Sequence, residues 1–461
     1  MRTALGRMLR DSIMLASVGL VLVGCMVRQD QPPTEDPFYF VDAEALALGE
    51  HGRPLRYRPI APPAGLEGAG QNTLIIYKSS KDDAQGTPVA VSAILALPKG
   101  EPGPGGWPVI AWAHGTVGSA DKCAPSMDKA EDPGSEPLRL HQVINRSPHP
   151  MLNAFLEAGY AVVMSDYEGL GTAGPHPYLD GVSQARSILD AVRAARQLSM
   201  GEHGQARLST RVAIVGHSQG GQAALFAAHQ QPGWTPELHL VGVAAIAPAS
   251  KLEMLQYLPS VAEDDAEARA SMPFLVLVIQ GALRAQPALD LDRIFTARGK
   301  SIYQQSADSL CRTELSESVW VQPGQGLFSE KILTVLDAPL RAMHPNLKIE
   351  APIRLAQAEH DSRVSVGNTR ELKDQLNATN QGDTPGVPVC YEEYATVEAA
   401  DDPRLGDHFG ILKTDIAPMT RWLGERLRGA PPRVCGVGEQ ARVQRNRLRA
   451  SSNSAISSSV P

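Results

Sequence analysis

The sequence predicts an α/β fold: a mostly parallel sheet flanked by helices, with a cap region inserted before its last strands. Three observations carry this reading. Strand-length apolar runs alternate with helix-like segments along most of the chain. Several of those runs are apolar on both faces, as expected of strands covered by helices on two sides. A stretch near the middle, VAIVGHSQGGQAALFAA from Val212 to Ala228, passes from a β-branched run through a glycine-rich bend into a helix-compatible segment.

With 461 residues at 43% hydrophobic content, the chain can bury one large domain with an insertion, or two ordinary domains. The net charge of −7 leaves no basic footprint, so no nucleic-acid partner is expected.

In chain order, Arg2, Arg7 and Arg10 precede the apolar stretch IMLASVGLVLV, which is short for a membrane span and suits the core of a secretory signal over residues 1–24. It ends in LVGC, Leu22 to Cys25, which resembles the lipobox of bacterial lipoproteins. That resemblance implies lipidation at Cys25 and an exported envelope protein whose membrane partner is reached through an N-terminal lipid anchor. Met26 stands where an inner-membrane retention signal would place Asp, so the outer membrane is the expected destination in a host that has one. Residues 25–37 are polar and proline-bearing, as a flexible tether is. At the other end, residues 436–461 lack periodicity and are rich in Ser, Arg and Asn, which predicts a disordered tail.

Between these ends the strand-like runs are NTLIIYKSS, PVAVSAILALP, WPVIAWAHG, AVVMSDYEG, RVAIVGHS, HLVGVAAIAPA, APIRLAQAEHD and VPVCYEEYATV. They predict a sheet domain in two parts, 38–249 and 346–435, interrupted by a cap over 250–345, where the strand–helix rhythm fails. The apolar segment Met272 to Leu283 inside the cap reads equally as a lining of the substrate site and as a core helix of the insertion. GLGTAG, Gly169 to Gly174, formally matches a dinucleotide fingerprint, but Pro175 and Pro177 follow where a phosphate-binding helix would have to open. It is read as a tight loop beside the active face.

Gly216, Ser218 and Gly220 form G-x-S-x-G between strand and helix. A serine at such a bend exposes its hydroxyl above the sheet, and the next backbone N–H can face a developing oxyanion. Its hydroxyl needs a histidine to take the proton and a carboxylate to fix that histidine's tautomer, in the chain order Ser, acid, His. Asp361, at the carboxyl end of IRLAQAEHD, is the expected acid, with Glu359 as runner-up. His408, in the loop before the last helical pattern, is the expected base. His217 and His360 are read as packing or loop residues, and Asp401, Asp402 and Asp407 as a solvated loop. The oxyanion donors are expected at the N–H groups of Gln219 and Thr116, with Gly115 giving the loop room. No metal or organic cofactor is called for, since the chain has no C-x-x-C pair and no H-E-x-x-H. Setting Cys25 aside, Cys123, Cys311, Cys390 and Cys435 suggest two disulfides in an exported chain, with three connectivities open.

HGT at His114, SDYEGLG at Ser165 to Gly171, GHSQGG at Gly216 to Gly221, the long insertion, D-x-x-V at Asp361 to Val364 and the step Asp407–His408 together have a specific likeness. From about Phe38 to Cys435 the chain resembles the secretory lipases, the yeast lipase A-like branch of the α/β-hydrolases. The resemblance implies the α/β-hydrolase fold with a cap above the sheet, and hydrolysis of small-molecule or lipid carboxylic esters. It also implies Ser218 as nucleophile, His408 as base, Asp361 as its orienter, and the pairings Cys123–Cys311 and Cys390–Cys435. The lipobox departs from the secreted yeast members and turns the expected substrate toward soluble or cell-surface esters. A peptidase or amidase on the same triad, and a non-catalytic binding lipoprotein, are the alternatives.

Overall fold

The computed structural model describes residues 36–129, 136–200, 207–261, 266–319, 326–380, 388–432 and 435. The signal, Cys25, the tether up to residue 35 and the tail 436–461 lie outside these residues. Within the expected tether, Asp36 and Pro37 already belong to the folded body: the Asp36 carboxylate accepts from Phe38 N–H at 3.0 Å and caps the short helix Pro37–Tyr39.

Nine strands form one sheet: β1 (Pro54–Pro59), β2 (Gln71–Ser80), β3 (Pro88–Leu97), β4 (Trp107–Ala113), β5 (Ala161–Ser165), β6 (Leu208–His217), β7 (His239–Ile246), β8 (Ile353–Ala358) and β9 (Cys390–Tyr394). Their order is β1-β2-β3-β5-β4-β6-β7-β8-β9. The pairings β1–β2, β2–β3 and β3–β5 are antiparallel, and those from β5 through β4 to β9 are parallel. All the strands expected from the sequence are present, and β1 is added to them. Its sequence PLRYRP carries prolines at both ends and two arginines, which suits an edge that pairs on one side only.

Alternation along β4 sends Val109, Ala111 and Ala113 to one face of the sheet and Ile110 and Trp112 to the other. The first face is covered by the helices Gly181–Leu198 and Gln219–Trp234, whose Ala, Leu and Val side chains are buried against it. Helices His149–Glu157 and Ile416–Leu427 cover the second. A buried bidentate pair fixes the end of this second layer: Arg354 on β8 donates to both oxygens of Asp415 at 2.7 and 2.6 Å. Asp415 immediately follows the helix Gly406–Thr414, so that helix is pinned to β8.

Register brings the carboxyl ends of the parallel strands to one edge. Ala113 lies beside both Ser165 and Gly216, Gly216 beside Ala245, and Ala245 beside Leu355. Loops leaving β4, β6 and β8 therefore emerge close together.

The chain between β7 and β8 is helical, with Ala266–Ala285, Ala297–Asp308 and Arg312–Val319 as its longest segments. It packs around its own apolar cluster, in which Leu275, Val276, Leu277, Val278 and Ile279 have no exposure. The even alternatives for Met272 to Leu283 thus divide by residue. The segment is mainly the core of the insertion, while Phe274 faces the cavity described below. The long helix lies so close to the sheet domain that a Cβ on Gly281 would overlap the Tyr178 carbonyl. Near its end Arg284 forms a partly buried ion pair with Glu168. Among the described residues no helix is long and apolar enough to cross a membrane.

Candidate active site

Ser218 sits between β6 and the helix Gln219–Trp234 with φ 59° and ψ −118°, a conformation that strains a residue bearing a side chain. The flanking glycines make the bend possible. A Cβ on Gly216 would overlap the Gly220 carbonyl, and one on Gly220 would overlap the Ala113 carbonyl at the end of β4. Ser218 N–H donates to Ile246 O at 2.8 Å, which ties the bend to β7. Gln219 is the first residue of the helix, so its N–H has no carbonyl one turn back to bond.

Three loops from the aligned edge converge on this serine. Gly115 and Thr116 follow β4, and a Cβ on Gly115 would come within 3.5 Å of the Ser218 Cβ. Thr116 is buried, and its hydroxyl shares a 2.7 Å hydrogen bond with Tyr178. After β8 the chain turns through exposed Glu359 and His360 to Asp361, which is buried. His408, 3% exposed, stands near the start of the helix Gly406–Thr414 and donates from Nδ1 to Asp361 Oδ2 at 2.7 Å.

The Asp361 carboxylate is well supplied with donors. Its Oδ1 accepts from Arg363 N–H at 2.8 Å and Val364 N–H at 3.0 Å, while Oδ2 also accepts from Gln357 Nε2 at 3.1 Å. Burial pushes its pKa up, but the adjacent His408 and these N–H donors outweigh it and hold the carboxyl at about 2. It is ionised at neutral pH and holds the His408 ring through Nδ1.

Ser218, His408, Gly115 and Thr116 all line one cavity of about 160 Å³, floored by the sheet edge and roofed by Leu255 and Phe274 of the insertion. The expected residues Ser218, Thr116, Gly115 and His408 lie along this one cavity, with Asp361 bonded to His408, and other polar groups that the sequence did not single out surround them. His217, adjacent to the serine, donates from Nε2 to the His408 carbonyl at 2.7 Å and so supports that helix. A chain of buried amides runs under the bend: Gln219 Nε2 donates to Gln184 Oε1, and Gln184 Nε2 to Gln222 Oε1, each at 2.8 Å. Gln222 in turn donates to Met343 O of the insertion at 3.0 Å. Of the acids expected in a solvated loop, Asp402 caps the short helix Pro403–Leu405 and Asp401 pairs with Lys413 at 2.6 Å, while Asp407, like His408, lies not in a loop but in the first turn of the helix Gly406–Thr414.

The remaining cysteines are joined as Cys123–Cys311 and Cys390–Cys435, with Cα separations of 5.4 and 4.7 Å. The first ties the segment after β4 to the insertion, and the second ties β9 to the chain beyond the last helix.

Residues 138–434 match the secretory lipase family. A Mycobacterium tuberculosis protein named as a probable inactive lipase is 24% identical over 415 residues, 87% of this chain and 83% of its own length. Lipase A of Arthroderma benhamiae is 29% identical over 220 residues, 46% of this chain and 44% of its own length. Among solved structures, the closed state of Candida antarctica lipase A has a TM-score of 0.66 at 19% identity, covering 88% of this chain and 89% of that one. A rice cell wall degrading esterase from Xanthomonas oryzae has a TM-score of 0.61 at 20% identity, covering 83% and 100%. The sheet and its helical layers are those of the α/β-hydrolase lipases.

Proposed function

The chain belongs to the secretory lipase family and is a carboxylic-ester hydrolase by that membership, and we propose that it works through an acyl-enzyme formed on Ser218. In this reading Ser218 Oγ attacks the ester carbonyl as His408 Nε2 takes its proton. The N–H groups of Gln219 and Thr116 stabilise the tetrahedral oxyanion, and Gly115 keeps the space beside Ser218 open for it. His408 then protonates the leaving alcohol, and water repeats the cycle on the acyl group.

The observation that carries the reading is the hydrogen bond from His408 to a buried, ionised Asp361, in a cavity shared with a serine on a strained strand–helix bend. Asp361 fixes the tautomer, and the imidazolium formed during attack is stabilised by a carboxylate already charged. Export follows from the secretory family, and two disulfides suit an oxidising compartment. The lipobox-like LVGC supports a lipid anchor at Cys25, which would hold the cavity near a membrane and its esters.

The relative named as inactive favours a second reading, a binding protein on the same scaffold. A fluorophosphonate probe separates the two. Covalent labelling at Ser218, lost in Ser218→Ala together with several orders of magnitude of ester turnover, is the expected result. No labelling of the folded wild-type protein would leave only the binding reading.

A further inference from the structure

The active-site cavity holds positive charge that ester chemistry does not use. Arg312 and Arg363 line it alongside Ser218 and His408. Arg312 is 9% exposed, and among the described residues it has no carboxylate partner. Its guanidinium lies 5.4 Å over the Phe274 ring. Burial, reinforced by the charge of Arg363, pushes its pKa down to about 9, so it is still a cation at neutral pH. Arg363 donates to the Arg404 carbonyl at 3.1 Å and sits 5.1 Å over the Phe409 ring. A third group points the same way. Ser250 lines the cavity at 6% exposure, and its hydroxyl has no hydrogen-bond partner.

Burying an unpaired guanidinium costs several kcal/mol, so an arginine kept for structure is paired. The other buried arginines here show this, Arg354 pairing with Asp415 and Arg426 with Glu425, as does the partly buried Arg284 with Glu168. The cavity's Lys251 is likewise neutralised, by Glu371. Arg312 is placed rather than merely tolerated. Its N–H donates to Val117 O at 2.8 Å, and Cys311 before it both bridges to Gly118 and forms the disulfide to Cys123. The loop carrying Thr116 and the residue carrying the charge are thereby held as one unit.

We propose that this cavity selects esters bearing a carboxylate or phosphate group, bound by the guanidinium fork of Arg312, with Arg363 and the Ser250 hydroxyl supplying further contacts. The proposal rests on the hydrolase reading of the same cavity and names its substrate class.

Two matched pairs test it: monoethyl adipate against ethyl hexanoate, and 1-octanoylglycerol 3-phosphate against 1-octanoylglycerol below its aggregation threshold. The first reads a carboxylate on the acyl side, the second a phosphate on the alcohol side. In at least one pair the anionic member should be favoured about tenfold or more in kcat/KM, the scale of one charge-assisted hydrogen bond. Arg312→Met should lower that anionic-to-neutral ratio by a similar factor, and Arg312→Lys should restore part of it. Because the readout is a ratio within one preparation, a smaller folded fraction cancels. Neutral preference in both pairs, or a ratio untouched by Arg312→Met, would overturn the proposal. Calorimetry on Ser218→Ala with the same four compounds measures anion recognition without turnover. Anion-selective binding in a protein whose wild type hydrolyses none of the four sinks the hydrolysis and keeps the anion site. Turnover without anionic preference in rate or binding does the reverse.

Discussion

His408 reaches Asp361 through a 2.7 Å hydrogen bond across 47 residues of sequence, while Glu359, two residues before that aspartate, points to solvent. Asp361→Asn should therefore lower kcat by about 10³–10⁴, since the amide no longer enforces the productive tautomer. Glu359→Gln, a surface change, should leave activity within about threefold. Steady-state kinetics on the two purified variants checks the ranking, and the reverse order would move the acid to Glu359.

Leu277 and Phe274 lie on the same helix and should respond differently. Leu277 has no exposure, so Leu277→Asp buries a charge in the insertion's core and should lower the melting temperature by more than about 5 °C, with activity on short and long esters falling together. Phe274 lines the cavity, so Phe274→Ala should change the ratio of octanoate to acetate ester turnover by more than about threefold, the worth of one buried methylene, with a smaller thermal shift. A uniform loss in both variants would place the acyl site elsewhere.

Acid acts on the fold in two opposing ways: burial raises Asp121 to about 7 and Asp166 and Asp180 to about 6, so their protonation favours the native state, whereas protonation of buried histidines disfavours it. His141 and His176 are buried, and burial, with nearby positive charge acting on His141, lowers each from 6.5 to about 4. Between those values the unfolded chain binds protons at these histidines that the native state excludes, so their contribution to stability falls as pH falls from about 6.5 and levels off below about 4. Melting temperatures measured from pH 7.5 to 4.5 should show acid favouring His141→Gln relative to the wild type, because the variant lacks one group that the native state keeps unprotonated. An unchanged slope in that variant counts against the assignment.

The proposed lipid anchor at Cys25 should be separable from the chemistry. Cys25→Ser should shift the protein from the membrane pellet to the soluble fraction with its turnover of dissolved esters retained, because a tether contributes affinity for the bilayer and nothing to Ser218. Mass spectrometry showing an unlipidated mature N-terminus in the wild type would reject the anchor.

What could be read from the sequence depended on how local its cause was. The parallel strands announced themselves because strands buried on both faces are continuous apolar runs, and Asp361 drew notice because it follows one of them closely. β1 was missed because its prolines and arginines mark a strand edge through its neighbour, which sequence does not show. The insertion's main helix was obscured by Pro273 and by an apolar run without a polar face, since it is wrapped on most sides by its own cluster. Arg312 carried no signal at all. It is one charge after a cysteine, and its meaning lies in the absence of a carboxylate partner among the described residues, which only the folded chain displays.

The two disulfides divide the proposed nucleophile and base between them. Ser218 lies within the 188-residue loop closed by Cys123–Cys311, and His408 within the 45-residue loop closed by Cys390–Cys435. A single peptide-bond cut inside either loop leaves both fragments covalently joined, and the sheet between them holds the ends in register. In a compartment populated by proteases, a nicked molecule is then still one molecule. On a gel it would run whole until reductant is added and fall into pieces afterwards, and its working life would be set by loss of both chain continuity and cross-link rather than by the first cut.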